Sequence, residues 1–287
     1  MNKKIKLQRY ICMSLLVLLL LLSGCAENKP ATEAPSEQTD HTEGGITTRL
    51  VLATLNIKHG EEGLEKISDA IRQISPDIIG LEEVDVGCER SGYVDEPAEL
   101  ARLAGYPYHA FARAMSIDGG EYGTALLSRY PIESFEVIPL FSGYGEDRSV
   151  GHAVISVDGV QLHAFVTHLS YNSRMLLSDQ MKSIAALLHK CDRYALLADL
   201  NSFHLEDIHY LEGAYYVNRP DRSYITYHRW NVAIDNIVVS EGFTEITSGI
   251  SDTDCSDHNL LYATFQFSGK FDHNGHPSLV GPSSPDS

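Results

Sequence analysis

Short apolar runs recur along this chain, and many of them close on a carboxylate, an amide or an imidazole. Leu50–Ile57 carries Asn56 near its end, Ile78–Val84 carries Glu82 and Glu83, and Val160–Leu169 carries His168. Tyr194–Leu200 carries Asp199, with Asn201 just beyond, and Asp257 and His258 precede Leu260–Phe267. Asp235 lies inside Ile234–Val239, an apolar strand in which a carboxylate needs a partner. Helical spacing separates these runs: apolar residues at 64, 67, 70, 71 and 74 predict a helix over 63–74. A second helix is expected over Asp95–Ala104, with an acidic first turn, Pro97 and a terminal Gly105, and a third over Ser173–His189. Further strands are expected at Ala125–Ser128, Ile132–Leu140 and Ala153–Val157, the last turning into Val160–Leu169 through Asp158-Gly159. Helix-linked strands together with hairpins predict mixed sheets covered by helices, an α/β or α+β fold. The two halves are loosely alike, each reading strand, helix, strand ending in acids.

The ends of the chain follow different rules. Lys3, Lys4, Lys6 and Arg9 precede Ile11–Leu22, an apolar run of twelve broken only by Ser14, and Ser23-Gly24-Cys25 follows. Twelve residues at about 1.5 Å each do not span a ~30 Å hydrocarbon core, so residues 1–24 are expected to be a signal peptide. Leu22-Ser23-Gly24-Cys25 resembles the bacterial lipoprotein signal. That resemblance implies acylation of Cys25, palmitate included, and a protein anchored to the cell membrane on its extracytoplasmic side. Residues 25–48 are rich in Glu, Thr, Pro and Ala and predict a disordered linker, about 25 Å long as a flexible coil. Residues 268–287 are expected to be a loose tail, which leaves 49–267 as one domain.

With 43% hydrophobic and 21% charged residues, the composition predicts a packed core and excludes collagen-like, coiled-coil and disulfide-framework classes. The formal charge of −17 becomes −21 once the four N-terminal cations are removed. A strongly acidic domain is disfavoured as a general nucleic-acid binder, which needs cations to displace counterions. Cys88, Cys191 and Cys255 remain in the domain, allow at most one internal disulfide, and have no zinc-site spacing; buried free thiols are expected.

Each polar strand end has a structural explanation on its own. Asn56 can cap a turn, Glu82 can be solvated, His168 can be a satisfied core histidine, and Asp199 and Asn201 can make Asx-turns. As a set they share a chemistry. Carboxylate and amide oxygens suit Mg²⁺, Mn²⁺ or Ca²⁺ rather than zinc, two histidines and an asparagine can hydrogen-bond phosphoryl oxygens, and an aspartate can orient a water.

The ordered series Leu55-Asn56-Ile57, Gly80-Leu81-Glu82-Glu83-Val84, Tyr122-Gly123, Thr167-His168-Leu169, Asp199-Leu200-Asn201, Ile234-Asp235-Asn236-Ile237 and Ser256-Asp257-His258 resembles the endonuclease/exonuclease/phosphatase superfamily. The resemblance implies a four-layer αββα sandwich, two mixed β-sheets face to face with helices outside, and a divalent-metal-dependent phosphoester hydrolase. It implies Glu83 as metal ligand, with Asn56 and Asp257 assisting the metal, and Asp199 as the residue that orients the attacking water. Asn201 and His258 would contact phosphate, Asp235 would pair with His258, and His168 would serve as acid or transition-state stabiliser. Two positions depart from the family pattern: Glu82 stands where Gln is usual, placing a further anion beside the metal ligand, and Ala198 stands where Gly is usual. Arg90, Tyr122 and Arg148 are additional substrate-binding candidates; either guanidinium could clamp a phosphate or form a surface ion pair. A tethered, acidic, monomeric domain favours small or lipid-headgroup phosphoesters at the envelope. A DNase-like endonuclease and a catalytically idle, lipid-anchored binding protein on the same fold stay open.

Overall fold

The computed structural model describes residues 45–270, except 205–207, 209, 210 and 253. The predicted signal peptide, Cys25, the linker up to residue 44 and the tail from residue 271 lie outside the described residues. In chain order the elements are β1 (Gly45–Asn56), α1 (Leu64–Ile74), β2 (Ile78–Val86), α2 (Glu96–Ala104), β3 (Tyr108–Ile117), β4 (Gly120–Ser128), β5 (Ile132–Leu140) and β6 (Arg148–Val157). They continue with β7 (Val160–His168), α3 (Arg174–Leu188), β8 (Tyr194–Asp199), β9 (Tyr215–Tyr216), β10 (Asp235–Val239), β11 (Phe243–Ser251) and β12 (Leu260–Lys270).

The helices start and stop where local chemistry dictates. The Asp95 carboxylate caps α2 by accepting from Ala98 N at 3.1 Å, and Gly105 ends it in the left-handed conformation. Ser173 caps α3, and α1 ends at a left-handed Ser75 just before Pro76.

Two six-stranded sheets form, ordered β11-β12-β1-β2-β4-β3 and β5-β6-β7-β8-β10-β9. Each has one parallel pair at its centre, β1/β2 spanned by α1 and β7/β8 spanned by α3, flanked by antiparallel strands. The likeness between the halves therefore extends to strand order.

Leu52, Ile78 and Leu126 from the first sheet meet Ile155, Val166, Leu197 and Ile237 from the second in one buried core. The outer face of the first sheet packs Leu55, Ile79 and Leu81 against Ile67 and Ile71 of α1 and Leu100 of α2. That of the second packs Phe165 and Leu196 against Leu177, Met181 and Ile184 of α3. Helix, sheet, sheet and helix make the four layers expected from the sequence. The sheets approach closely at Gly80, where a Cβ would stand 2.7 Å from Leu197 Cβ.

Some boundaries differ from the expectation. β1 begins at Gly45, inside the stretch assigned to the linker, and pairs with β12 out to Lys270, beyond the expected end at 267. The added length is backbone ladder, with Gly45 opposite Lys270 and Thr48 opposite Phe267. Strands β3, β9 and β11 had no counterpart in the sequence reading. All three close a sheet edge, where a strand covered on fewer sides needs no apolar run. Among the described residues no helix is long and apolar enough to cross a membrane.

Candidate active site

The carboxyl ends of both parallel pairs reach the same rim, the position at which open α/β sheets place their ligands. Asn56 and Glu82 are register partners at the end of β1 and β2, and His168 and Asp199 at the end of β7 and β8. Asn56 joins the two sheets: its amide nitrogen donates to Glu83 Oε1 at 3.0 Å and to Asp199 Oδ2 at 3.1 Å. Its own oxygen accepts from Lys58 N at 3.0 Å, so Asn56 orients two carboxylates rather than offering its oxygen to the cavity.

Glu82 and Glu83 part company at a bulge. Register with β4 slips between Leu81 and Val84, and Glu83 takes φ +55°, a left-handed conformation that costs a non-glycine residue about 1–2 kcal/mol. The bulge turns Glu83 out to line the cavity while Glu82 stays fully buried. Glu82 Oε1 accepts from Thr54 Oγ1 at 2.7 Å and Oε2 has no partner. Burial first, and the charge of Asp235 second, hold the Glu82 carboxyl well above the usual carboxylate range. Glu82 therefore stays out of the cavity, and its burial disfavours the anion expected beside Glu83.

Asp235 opens β10 opposite Asp199, and its Oδ2 lies 2.9 Å from His258 Nδ1. Both side chains are buried. Burial pulls the His258 imidazole down, but the charge and hydrogen bond of Asp235, aided by Asp199 and Asp257, push it up to about 10. With Nδ1–H committed to Asp235, Nε2–H lies 3.9 Å from Asp199 Oδ2. Ser256 Oγ donates to Asn56 O at 2.7 Å and accepts from His258 N at 3.2 Å, which fixes the histidine to the end of β1. The carboxyl of Asp199, buried beside Asp235, is pushed up to about 7.

The second histidine is arranged differently. Asn201, held at φ +49°, donates its amide to Leu169 O at 2.8 Å and to His168 Nε2 at 2.8 Å. The contact with Leu169 O fixes which end of the amide is nitrogen. His168 Nε2 is therefore an acceptor, the proton sits on Nδ1, and that buried atom has no partner. Burial, then the neighbouring Arg148 and His258, keep this imidazole well below its ordinary value and hence neutral. Asn201 spends its amide hydrogens positioning His168.

Glu83, His168, Asp199, Asn201 and His258 line a cavity of about 430 Å³. Arg148, only 3% exposed, enters from β6, pairs with Glu146 at 2.8 Å and leaves its buried Nε without a partner. Arg90 makes two 2.7 Å bonds to the buried Asp85, and its guanidinium carbon lies 5.5 Å from the Tyr122 ring centre. Asp257 sits at the rim, 3.7 Å from Lys58 Nζ.

Lys58 was not anticipated, nor was the wall of Tyr171, Phe203, Tyr227 and Trp230 that completes the cavity. Tyr171 and Trp230 are 64% and 57% exposed, and the Tyr227 ring lies 4.8 Å from that of His258. The signal was present: the single Trp and Tyr227 fall in a polar loop where no core exists to use them.

The donor set fits a hard divalent cation. Glu83, Asp199 and Asp257 present only oxygen to the cavity.

Sequence and structure comparisons agree on the fold. The profile of the endonuclease/exonuclease/phosphatase family matches residues 53–258, and the chain belongs to that family. Its members are in general metal-dependent hydrolases of phosphoester bonds. Among solved structures, an endonuclease/exonuclease/phosphatase protein from Beutenbergia cavernae is 21% identical with a TM-score of 0.65, covering 77% of this chain and 72% of that one. A family protein from Bacteroides vulgatus is 15% identical with a TM-score of 0.63, covering 77% of this chain and 99% of its own. Zebrafish (D. rerio) TDP2, complexed with a single-strand DNA product, is 16% identical with a TM-score of 0.61, covering 76% and 99%. No match was found among curated proteins.

Proposed function

We propose that this chain is a Mg²⁺- or Mn²⁺-dependent phosphoester hydrolase of the bacterial cell envelope, tethered through Cys25 and acting on small or lipid-headgroup phosphoesters as a monomer. The observation that carries the reading is the Asp235–His258 pair set against Asp199 on the floor of a cavity with an aromatic wall. Glu83 and Asp257 would hold the metal, with Asn56 orienting Glu83, and the bound ion would neutralise charge on a phosphoryl oxygen. Asp199, poised near neutrality and held by Asn56 and by Asn201 N, is placed to orient water and take its proton. The His258 imidazolium, locked by Asp235, directs Nε2–H at negative charge developing on the phosphoryl group, and the charge of Arg148 on the cavity wall adds to it. Tyr171, Phe203 and Trp230 give the alcohol half of the substrate a flat apolar surface.

A nuclease is the second reading. TDP2 in complex with a DNA product shares the fold, but the lysine and arginine side chains lining this cavity are Lys58, Arg90 and Arg148, and each is already paired within 2.8 Å of a carboxylate. A panel of aryl phosphodiester, nucleotides, inositol phosphates, choline-phosphate lipids and DNA, assayed with Mg²⁺ and with an Asp199→Ala control, separates the two. Turnover confined to DNA, with a steep salt dependence, would replace the small-substrate reading. No Asp199-dependent turnover on any of them would leave a binding protein.

A further inference from the structure

A second cluster of ligating side chains lies on the outer face of the second sheet. His152 of β6 and His163 of β7 are diagonal neighbours on that face, with His152 opposite Phe165 in register and stacked on its ring at 4.3 Å. His152 Nε2 and His163 Nδ1 are 2.8 Å apart. Cys191, in the turn that follows α3, packs onto the same face, and its Sγ and the two ring nitrogens lie within 4.8 Å of one another. His163 precedes His168 by five residues on β7, so about 17 Å of strand separates this cluster from the catalytic rim.

Its surroundings are those of a metal ligand set. Glu136, the cross-strand partner of His152, accepts from His152 Nδ1 at 2.7 Å. That contact places the His152 proton on Nδ1 and leaves Nε2 as the free base, the carboxylate–histidine arrangement common behind metal-bound imidazoles. Burial lowers the affinity of His163 for a proton, which favours the neutral ring that a metal ligand requires. Burial, then the charge of Asp192, hold the Cys191 thiol up, with Glu136 adding to and Lys190 opposing the shift. Two carboxylates against one ammonium make the neighbourhood favourable to a cation. All three ligand-bearing residues are only half-buried, so an ion can enter from solvent.

We propose that His152 Nε2, His163 Nδ1 and Cys191 Sγ form a second metal site, for a borderline-soft divalent ion such as Zn²⁺, with solvent in the fourth position. Zinc takes thiolate at about 2.3 Å and imidazole at about 2.0–2.1 Å, so a tetrahedral ion needs its two nitrogens about 3.3 Å apart. The rings must open from 2.8 Å by roughly half an ångström, well within side-chain freedom. The thiol loses its proton to solvent as the S–metal bond forms, and His163 moves its own from Nδ1 to Nε2. The cysteines lack a zinc spacing in the sequence because the ligands come from two strands and a turn. The bound ion would clip the entry of β8 to β6 and β7, making the site a stabilising one remote from the chemistry.

Cobalt(II) is the probe. Full-length protein stripped with EDTA, dialysed into excess Mg²⁺ to fill the oxygen-lined site, is titrated with Co²⁺. The expected result is one equivalent bound with a thiolate-to-cobalt charge-transfer band, bleached by Zn²⁺, and a Tm that rises with Zn²⁺. Cys191→Ser should abolish the band, and Glu136→Gln should weaken binding about 10–100-fold. Cys88→Ser and Glu83→Gln should leave it intact. Absence of the band in the wild type, or its survival in Cys191→Ser, overturns the proposal. Far-ultraviolet circular dichroism of each variant confirms that the fold is present, and His152→Ala repeats the test with the thiol in place.

Discussion

Replacing Glu82 with Gln should turn a pH-dependent contribution to stability into a constant one. The carboxyl is fully buried, with one oxygen bonded to Thr54 and the other without a partner. Burial and the charges of Asp235 and Asp199 raise its folded-state pKa well above the ordinary value, while the unfolded chain ionises near ~4.3. Between those two values the native protein holds one proton more than the unfolded chain. The contribution is therefore complete below the unfolded pKa and is lost as pH rises toward the folded one, at about 1.4 kcal/mol per pH unit. Gln has the same shape, keeps an acceptor for Thr54 and does not titrate. Relative to wild type, the variant should gain that amount for every pH unit across the window, a growing separation of roughly 0.5 M or more in urea midpoint. Urea denaturation of both proteins in EDTA, followed by far-ultraviolet circular dichroism in steps from acid to neutral pH, measures it directly. Parallel stability profiles would refute the raised Glu82 pKa.

Asp235→Asn and His258→Ala should each lower kcat by about 10²–10³ with small changes in KM, and the double variant should cost little more than the worse single one; multiplying losses would show that they act independently. Activity should vanish in EDTA and return with Mg²⁺ or Mn²⁺, and Glu83→Gln should raise the Mg²⁺ concentration needed for half-maximal rate; full activity in chelator would contradict the metal assignment. Trp230→Ala should raise KM for aryl phosphodiesters several-fold with kcat nearly unchanged, since the ring is 57% exposed on the cavity wall; an equal loss on a substrate without an apolar group would remove that role. Mass spectrometry of protein from its native host should find the mature N-terminus at acylated Cys25, and an unmodified cysteine would end the anchoring proposal.

Burial is what made part of this protein legible from sequence. Strands such as Ile78–Val84 and Tyr194–Leu200 are apolar on both faces because a sheet lies on one side and a helix on the other, so a polar residue among them stands out. That is how Asn56, Asp199 and Asp235 were recognisable. Edge strands such as Phe243–Ser251 carry no such contrast and were missed. The direction of Glu82 was misread because a single inserted residue at the Leu81/Val84 bulge decides which of two adjacent glutamates faces the cavity. The His152–His163–Cys191 cluster was invisible for another reason: its members come from separate elements, and linear spacing records only ligands that share one.

The chemistry proposed for this protein belongs to neither sheet alone. Glu83 and Asn56 come from one, and His168, Asp199 and Asp235 from the other, across a seam so tight at Gly80 that a methyl group would meet Leu197. Each half can keep its own helices, ladder and hydrogen bonds and still present only part of a site. The proposed activity would thus act as a gauge of how the two sheets are seated. A slip of an ångström along the seam, from a methyl at position 80 or from mild denaturant, would part Asn56 from Asp199 and silence the protein while every strand remained in place.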